Sequence, residues 1–398
     1  MKIAIVIERF DPAGGGAEKS TAQIACHLRD RGHEVTILTW WSPPLRGFNG
    51  ITVDSATPRR RLGMIQLYRF ANWARKRLSE GEFDSSLSVT TAAPAAVVQP
   101  RSGTIRETAR RNVAMRASRT RRTMKKLSQA MSGKLQIQLA LERRTLSDLQ
   151  VKRFCAVSRY VARQLENDYA VNSEMIEVIA NGSDMPDPSA DQRRHWRKTI
   201  RDGFGINADT PAFLFAAHNP RLKGIDTVLA AMKILSQRGQ EAVVMIAGPM
   251  QYGIQASAVA HGVRDRLRFI GPTDRMAELY CGADVTVLPT YYDPSSKVAI
   301  ESLMMRTPVI TTAYNGASDW VAGAGGSGFS ASETGPRQPT GCVLADPADA
   351  VALADAMVQL SDSGKRASCA RATEGLADRL SMSRHVESLE RVLVEVSN

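Results

Sequence analysis

The sequence contains few cysteines and no long uninterrupted apolar run. No apolar run approaches the roughly 20 residues that a membrane-spanning helix needs. The N-terminal stretch MKIAIVIERFD lacks the charged start and the cleavage site of a signal peptide, so we expect the chain to stay in the cytoplasm. The cysteines are scattered without the paired spacing of a zinc site, and we predict that they are buried, reduced thiols. They are Cys26, Cys155, Cys281, Cys342 and Cys369.

Acidic residues are scarce in one region of the chain, the stretch 101–153, which we call the basic strip. It carries fifteen Lys or Arg residues against three acidic ones, a local charge of +12 that equals the net charge of the whole chain. Such a strip attracts polyanions, and anionic lipid or nucleic acid are both candidates. It has no aromatic residue on which a base could stack, so we favour a membrane surface over nucleic acid. The alternative is a solvated helical face.

Length and hydrophobic patterning predict two α/β domains. At 398 residues the chain is too long for one ordinary domain of about 100–200 residues. Short apolar strands alternate with helical patterns, from KIAIVI at 2–7, a helix at 17–31 and the strand EVTILTW onward. The alternation restarts after NGSD at 181–184. It predicts two doubly wound, Rossmann-like halves with a linker near 169–191 and a ligand cleft between them.

The loop DPAGGGAEKS follows the first strand and precedes a helix. Its glycines let the backbone approach an anion, and the helix directs its free N–H groups and positive dipole end at that anion. The loop does not fit the G-x-G-x-x-G dinucleotide fingerprint, because Lys19 occupies the third glycine place. A plain tight turn before a helix is the alternative.

Two later loops carry charged groups at predicted strand ends. HNPRLKGID places Arg221 and Lys223 where a diphosphate can bind, although two exposed surface cations are an alternative. YYDPSSKVAIES places Asp293 in a turn, with Ser295 or Ser296 as the cap of a helix at 296–305 and Glu301 in its second turn. That carboxylate can accept two hydroxyls, as from a ribose; a capping acid and a surface Glu are the alternative.

Together these loops resemble a known family. The order GGAE, then R-x-K-G, then D-x7-E before LMMRTPVITT is similar to the retaining glycosyltransferases of the family-4 type, including bacterial lipopolysaccharide and exopolysaccharide enzymes. The resemblance extends to CAVSRYVARQL and IANGSD, and it implies the GT-B fold: two Rossmann-like domains facing a central cleft. We assign 1–172 to an acceptor domain, joined by the C-terminal helix 381–398, and 173–380 to a nucleotide-sugar donor domain.

The resemblance also implies roles for individual residues. Glu301 would bind the donor ribose, and Asp293 would lie near the hydroxyls of the donor sugar. Arg221 and Lys223 would hold the diphosphate. Further donor contacts would come from the backbone amides of Gly15 and Gly16, from Ser295 and Ser296, and from Lys297, which can reach a phosphate or an acidic sugar or simply be exposed. Ser102, Gly103 and Glu107 would be acceptor-side groups.

These roles imply transfer of a sugar, such as a hexosyl or heptosyl group, from a nucleotide diphosphate to a glycan or lipid-linked acceptor with retention of configuration. No Asp-x-Asp triplet occurs in the chain, and we expect neither a metal nor another cofactor. In this family the leaving phosphate is thought to take the acceptor proton. We therefore expect an enzyme of lipopolysaccharide or polysaccharide synthesis at the inner face of the cytoplasmic membrane. The alternatives are a GT-B sugar-nucleotide epimerase and a catalytically silent protein that binds nucleotide sugar or nucleic acid.

Overall fold

The computed structural model describes residues 1–45, 48–57, 63–249, 252–323, 336 and 338–397. The chain forms two compact units. The first consists of Met1–Asn181 and Met382–Asn398, and the second of Gly182–Ser381. Each unit is a parallel sheet covered by helices, which confirms the predicted fold class of two doubly wound α/β halves.

The sheet of the first unit has seven strands within the described ranges, all parallel, in the order β3-β2-β1-β4-β5-β6-β7. The order reverses direction between β1 and β4, which is the switch point beside which ligands of such sheets bind. The strands are β1 (Lys2–Arg9), β2 (Glu34–Trp41), β3 (Thr52–Ser55), β4 (Ser85–Ser88), β5 (Val97–Val98), β6 (Arg153–Ala156) and β7 (Ile176–Val178).

The sheet of the second unit has six parallel strands in the described part of the chain, in the order β10-β9-β8-β11-β12-β13. Counted from its own first strand, this order repeats that of the first unit, so its switch point lies between β8 and β11. The strands are β8 (Ala212–Ala216), β9 (Val243–Ala247), β10 (Leu267–Gly271), β11 (Val285–Leu288), β12 (Val309–Thr312) and β13 (Gly341–Leu344).

Helices connect the strands and cover both faces of each sheet. In the first unit they are α1 (Gly16–Asp30), α2 (Met64–Glu80), α3 (Ile105–Ala114), α4 (Arg119–Ala130), α5 (Gly133–Leu146), α6 (Arg159–Tyr169) and α16 (Met382–Glu395). In the second unit they are α7 (Ala190–Gly203), α8 (Ile225–Gln237), α9 (Tyr252–Ala260), α10 (Met276–Gly282), α11 (Lys297–Met304), α12 (Ser318–Val321), α13 (Ala350–Ser361), α14 (Ser363–Ala372) and α15 (Leu376–Arg379).

The apolar run of β1 is buried because helices cover both faces of its sheet. Ile3 and Ile5 pack in one cluster with α1 and α16, and Ala4 and Val6 pack in another with α2. A central parallel strand has no solvent face, which explains why its sequence is continuously apolar rather than alternating. The amphipathic helix α16 belongs to the first unit for the same reason: its apolar face completes the first of these clusters.

Two sequence-based expectations need correction. The domain boundary after residue 172 lies too early, because β7 (Ile176–Val178) pairs with β6 in the first sheet and the units divide at Asn181. The cysteines are free, as expected, but only Cys155 is fully buried, and the other four are partly exposed.

Candidate functional site

Two loops of the second unit pack against each other beside the switch point between β8 and β11. The Tyr291 N–H donates to the carbonyl oxygen of Leu222 at 2.9 Å, and Thr290 Oγ1 donates to the same oxygen at 3.2 Å. Gly224 has a φ of +84°, and a Cβ atom there would lie 2.1 Å from the carbonyl oxygen of Pro289. Glycine is therefore required at position 224 both by its backbone conformation and by the close approach of the second loop.

The two loops bring together a cation and an anion predicted as site residues. Lys223 Nζ lies 2.5 Å from Asp293 Oδ2 and also donates to the carbonyl oxygen of Tyr292 at 3.2 Å. Both side chains are largely buried, with exposed fractions of 20% for Lys223 and 14% for Asp293. The ammonium group is thus held by an anionic partner at the position where a ligand of this sheet is expected.

Asn315 fixes the loop that carries Asp293. Its side-chain Oδ1 accepts the N–H of Ser296 at 3.3 Å and that of Ala317 at 3.0 Å. The Gly316 N–H donates to the carbonyl oxygen of Asp293 at 2.8 Å. The amides of the loop NGASDW at 315–320 are therefore used within the protein, and the role of this loop is to hold the Asp293 turn in place.

Helix α11 begins directly after this turn. Ser296 is its N-cap, with Oγ accepting the Ala299 N–H at 3.4 Å, and Lys297 is its first residue. The Ser295 N–H donates to Asp293 Oδ1 at 3.2 Å. The first amides of a helix lack partners within the helix, so the start of a helix carries partial positive charge. Helix α11 therefore has its positive end a few residues after Asp293, the partner of Lys223.

Glu301 lies in the second turn of α11 and receives two hydroxyls. Ser183 Oγ donates to its Oε1 at 2.8 Å, and the Tyr280 hydroxyl donates to its Oε2 at 3.0 Å. Ser183 lies in the IANGSD segment, 118 residues before Glu301, and nothing in the sequence linked the two. Tyr280 belongs to a different helix and carried no sequence signal. Glu301 is half-buried.

Arg221 is not part of this cluster. Its side chain is exposed, and among the residues that the structure describes no hydrogen bond or ion pair is made by its guanidinium. Of the two cations predicted to hold a diphosphate, only Lys223 points to Asp293.

The glycine-rich loop of the first unit is organised by carboxylates. The Gly15 N–H donates to Glu18 Oε2 at 2.8 Å, and the Ala13 N–H donates to Asp11 Oδ1 at 3.0 Å. The Gly15 amide predicted to contact a ligand is thus already paired in a capping box with Glu18. A Cβ atom at Gly14 would lie 2.9 Å from the backbone carbonyl oxygen of Asp11, whereas Gly16 has open space around it. The close approach that needs glycine is at position 14.

A cavity of about 360 Å³ opens beside the switch point of the first sheet. It lies among the glycine-rich loop, the residues after β4 and the turn at Pro100–Gly103. Burial raises the pKa of the Glu8 carboxyl, while a hydrogen bond from Thr90 opposes that rise. Arg9 stacks over the Trp41 ring at 5.7 Å. The polar side chains of the lining include Glu8, Arg9, Glu18, Thr90, Thr91 and Ser102.

Two of the three predicted acceptor-side residues line this cavity. Ser102 and Gly103 line it, but Glu107 does not. Glu107 is buried, accepts the Tyr160 hydroxyl at 2.7 Å and pairs with Arg111 at 2.9 Å, so its role is structural. Glu142 carried no signal in the sequence, yet it accepts the Ile105 N–H at 2.6 Å at the start of α3 and so supports the wall of the cavity.

Helix α4 carries a third of the fifteen cations of the basic strip, and it has no acidic residue to offset them. Arg101 is buried, which lowers its pKa to about 10, and Arg110 forms an ion pair with Asp168 at 2.7 Å. Helix α4 has five cationic residues, no acidic residue and no buried residue. Met124, Leu127 and Met131 are exposed by 66%, 62% and 78% and lie at the spacing of one helical face.

The described residues provide neither a metal-binding cluster nor a membrane-spanning helix. No group of three or more His, Cys, Asp or Glu side chains there is arranged to hold a metal ion. No helix within those same ranges combines the length and the apolar character that crossing a membrane requires.

Two family models match nearly all of the chain. Residues 14–185 match Glycosyltransferase Family 4, and residues 197–374 match Glycosyl transferases group 1. The chain belongs to the glycosyltransferases of the family-4 type, with the GT-B fold. The predicted family is therefore confirmed.

Curated members of this family match part of the chain. An uncharacterized glycosyltransferase of Methanocaldococcus jannaschii is 28% identical over 176 residues, 43% of this chain and 45% of the relative. A D-inositol 3-phosphate glycosyltransferase of Xylanimonas cellulosilytica is 28% identical over 232 residues, 56% of this chain and 52% of the relative. The matches thus span about half the length of these relatives.

Solved structures of the same fold match the whole chain. WaaG, a glycosyltransferase involved in lipopolysaccharide biosynthesis, superposes with a TM-score of 0.75 at 19% identity, covering 98% of this chain and 99% of WaaG. Anabaena HepE in complex with UDP-glucose superposes with a TM-score of 0.67 at 16% identity, covering 99% of this chain and all of that one. At such identities these likenesses establish the fold.

Proposed function

We propose that this chain transfers a sugar, with retention of configuration, from a nucleotide diphosphate sugar to a glycan or lipid-linked acceptor in cell-envelope polysaccharide or lipopolysaccharide synthesis. The observation that carries the proposal is the cluster at the second switch point, where Lys223, Asp293 and the start of α11 adjoin. Family membership supports the reaction class. Anabaena HepE, which binds UDP-glucose, has the same fold and supports the donor class.

In this proposal Lys223 and the positive end of α11 stabilise the diphosphate as the sugar leaves. Negative charge develops on the leaving oxygen, and donors fixed in advance stabilise it without having to reorganise. A hydrogen bond to a charged group contributes about 1.5–3 kcal/mol, or roughly 10- to 100-fold in rate. Asp293 orients Lys223 in the absence of donor and contacts the sugar hydroxyls when donor is bound. Arg221, which is exposed, turns toward the diphosphate only with the ligand in place.

Proton removal from the acceptor follows from retention. The leaving phosphate oxygen takes the acceptor proton on the same face of the sugar, so the reaction needs no strong protein base. We propose that the reaction needs no metal or other cofactor either, since Lys223 and the α11 amides supply the positive charge at the diphosphate.

The acceptor would occupy the cavity of the first unit. Its lining presents the carboxyls of Glu8 and Glu18 against the single guanidinium of Arg9, which already stacks on Trp41. A phosphate there would face two acidic groups, whereas uncharged sugar hydroxyls can donate both to carboxylates and to the oxygens of Thr90 and Thr91, whose own hydroxyls already donate to Glu8 and Glu142. The cavity thus favours an uncharged sugar ring over a phosphorylated cyclitol such as the inositol 3-phosphate named for the Xylanimonas relative.

Helix α4 would hold the first unit at the inner face of the cytoplasmic membrane. Its cations attract anionic headgroups, and its apolar stripe enters the boundary between headgroups and acyl chains. An acceptor that is linked to lipid would then be presented at the surface on which the protein lies.

A binding panel tests the donor site. Purified protein is heated with UDP-, GDP- and ADP-sugars with and without a chelator, and the same panel is run on Glu301→Gln, which keeps an oxygen for the Tyr280 hydroxyl. A ligand at a hundred times its Kd adds about 2.7 kcal/mol of stability. We expect one nucleotide class to raise the melting temperature of the wild type and to do so much less in Glu301→Gln. No shift with any nucleotide sugar would reject the proposed donor site.

A further inference from the structure

The two oxygens of the Glu301 carboxylate are each fixed by a different hydroxyl. Ser183 Oγ lies 2.8 Å from Oε1, and the Tyr280 hydroxyl oxygen lies 3.0 Å from Oε2. A carboxylate held at both oxygens cannot rotate about its terminal bond without breaking a hydrogen bond. Its plane is therefore defined before any ligand arrives.

Both donors are themselves held by backbone hydrogen bonds. Tyr280 has no exposed surface, and its carbonyl oxygen accepts Thr307 Oγ1 at 2.8 Å. Ser183 is 3% exposed, and its N–H donates to the carbonyl oxygen of Leu380 at 3.0 Å. The main-chain positions that carry the two hydroxyls are therefore fixed.

The remaining capacity of the carboxylate matches a vicinal diol. An ionised carboxylate offers about four acceptor positions, and Ser183 and Tyr280 use one on each oxygen. One position per oxygen is left, which is the geometry for accepting two neighbouring hydroxyls. Burial, and then the neighbouring Glu301 carboxylate, raise the pKa of Tyr280 well above its usual range, so its hydroxyl stays a donor.

We propose that Ser183 and Tyr280 are positioning residues that orient Glu301 to accept the 2′ and 3′ hydroxyls of the donor ribose, and so set the selectivity for ribonucleotides over deoxyribonucleotides. This inference rests on the proposed donor site. It assigns a function to two residues outside the D-x7-E motif that carries Glu301. If the two hydroxyls only satisfy a buried acid, removing them changes stability but leaves ribose selectivity intact.

The experiment compares ribonucleotides with deoxyribonucleotides. The ligand is whichever of UDP, GDP or ADP binds the wild type, with its 2′-deoxy and 3′-deoxy forms, and Kd is measured by titration calorimetry. The variants are Ser183→Ala and Tyr280→Phe, with Glu301→Gln as the reference for loss of the carboxylate. The matched control is Ser302→Ala. It removes a fully buried serine hydroxyl from α11, the helix of Glu301, but this hydroxyl donates to Thr286 Oγ1 at 2.8 Å rather than to Glu301.

We expect the wild type to prefer the ribonucleotide by about tenfold or more, because each lost hydroxyl removes a hydrogen bond to a charged group. In Ser183→Ala and Tyr280→Phe this preference should fall several-fold, and in Ser302→Ala it should stay at the wild-type value. If both positioning variants keep the wild-type preference while Glu301→Gln loses it, the inference is wrong and the donor site stands. If no nucleotide binds the wild type, the donor site itself is wrong, and this inference fails with it. Ser183→Ala alone decides the question if Tyr280→Phe does not fold.

Discussion

Lys223 and Asp293, 70 residues apart in the chain, form an ion pair of 2.5 Å at the switch point of the second sheet. They meet because β8 and β11 are neighbours and parallel, so the loops that follow them emerge at the same edge. The pair gives the ammonium group a partner in the absence of a ligand. A diphosphate that binds at this edge can take over that partner role.

The first prediction concerns the coupling of this pair. Lys223→Ala and Asp293→Ala each leave a largely buried charge without its partner, so each should destabilise the second unit. The double variant removes both charges and should cost less than the sum of the singles, by about 0.5–3 kcal/mol. Urea denaturation of the four proteins measures this coupling. In activity assays Lys223→Ala should lower kcat by roughly 10- to 100-fold, with a smaller change in KM.

The control for this prediction is the ion pair between Lys198 and Asp202 in α7, with side-chain exposures of 77% and 63%. Exposed pairs of this spacing contribute about 0.3–0.5 kcal/mol. A coupling between Lys223 and Asp293 no larger than that of the control pair would show that the partly buried pair has no special strength. An unchanged kcat in Lys223→Ala would show that Lys223 does not stabilise the leaving diphosphate.

The second prediction concerns Gly224, which lies between Lys223 and α8. In Gly224→Ala the new methyl group would meet the carbonyl oxygen of Pro289 at 2.1 Å, at a φ of +84°. The strain of a left-handed alanine costs about 1–3 kcal/mol, and the clash with backbone adds to it by pushing the two loops apart. We expect a lower melting temperature together with weaker nucleotide binding, both measured by thermal denaturation with and without ligand.

Gly239→Ala separates the cost of a left-handed backbone from the cost of a steric clash. Gly239 has a φ of +68° but open space around its Cβ position. It should show the conformational cost alone and leave nucleotide binding unchanged. Equal effects of the two substitutions on stability and on binding would contradict the close approach of the loops.

The fold could be predicted because its signals are local. Alternating apolar strands and helical patterns repeat along the chain, and a parallel sheet follows from them. Two short strands have too few residues to show a pattern of their own: β5 has only Val97 and Val98, and β7 has three residues after a short helical turn. Such strands are defined by their neighbours in the sheet rather than by their own sequence.

The contacts of the candidate site were only partly predictable, because each polar side chain or amide has several possible hydrogen-bond partners in the fold. The loops of Lys223 and Asp293 could be placed from strand ends, but their ion pair depends on which strands are neighbours. The Gly15 amide was expected to face a ligand, yet Glu18 three residues later accepts it. Glu107 was expected at the acceptor side, yet Tyr160 and Arg111 hold it elsewhere. In each case the competing partner decided the outcome.

The third prediction concerns how protein stability depends on the ionisation of the Glu8 carboxyl, which lines the cavity of the first unit. Its pKa is raised by burial, so the folded protein binds its proton up to a higher pH than the unfolded chain does. Stability is therefore lost as pH rises through that window, and the loss is complete above the folded pKa. Glu8→Gln keeps an oxygen for Thr90 and removes this effect. The stability of Glu8→Gln relative to wild type should increase between pH 4.5 and pH 8, as measured by denaturation at both values.

The control for Glu8 is Glu34→Gln, which removes the same charge from an exposed position on the neighbouring strand β2. Its difference from wild type should change less with pH than that of Glu8→Gln. A Glu8→Gln difference that stays constant or shrinks as pH rises would show that the fold does not raise the pKa of Glu8.

The fourth prediction separates the two forces by which α4 would bind a membrane. One variant replaces Arg121, Arg122, Lys125 and Lys126 with Gln. The other replaces the exposed apolar stripe, which consists of Met124, Leu127 and the C-cap residue Met131, with Ser. Each cation near an anionic surface contributes about 1 kcal/mol and is screened by salt, whereas apolar insertion is not screened. In sedimentation with phosphatidylglycerol vesicles, the charge variant should lose binding mainly at low salt. The apolar variant should lose the part that persists at high salt.

Leu149→Gln provides the matched control for the apolar stripe, because Leu149 is fully exposed in the same basic strip but lies outside α4. Its sedimentation should equal that of the wild type at every salt concentration. Helix α4 without a buried residue presents five cations and, together with its C-cap Met131, three exposed apolar residues, while Leu149 is a single exposed side chain. Equal sedimentation of wild type and both α4 variants would mean that the helix is only a solvated face. Loss of nucleotide binding in either variant would show instead that the substitutions had disturbed the fold.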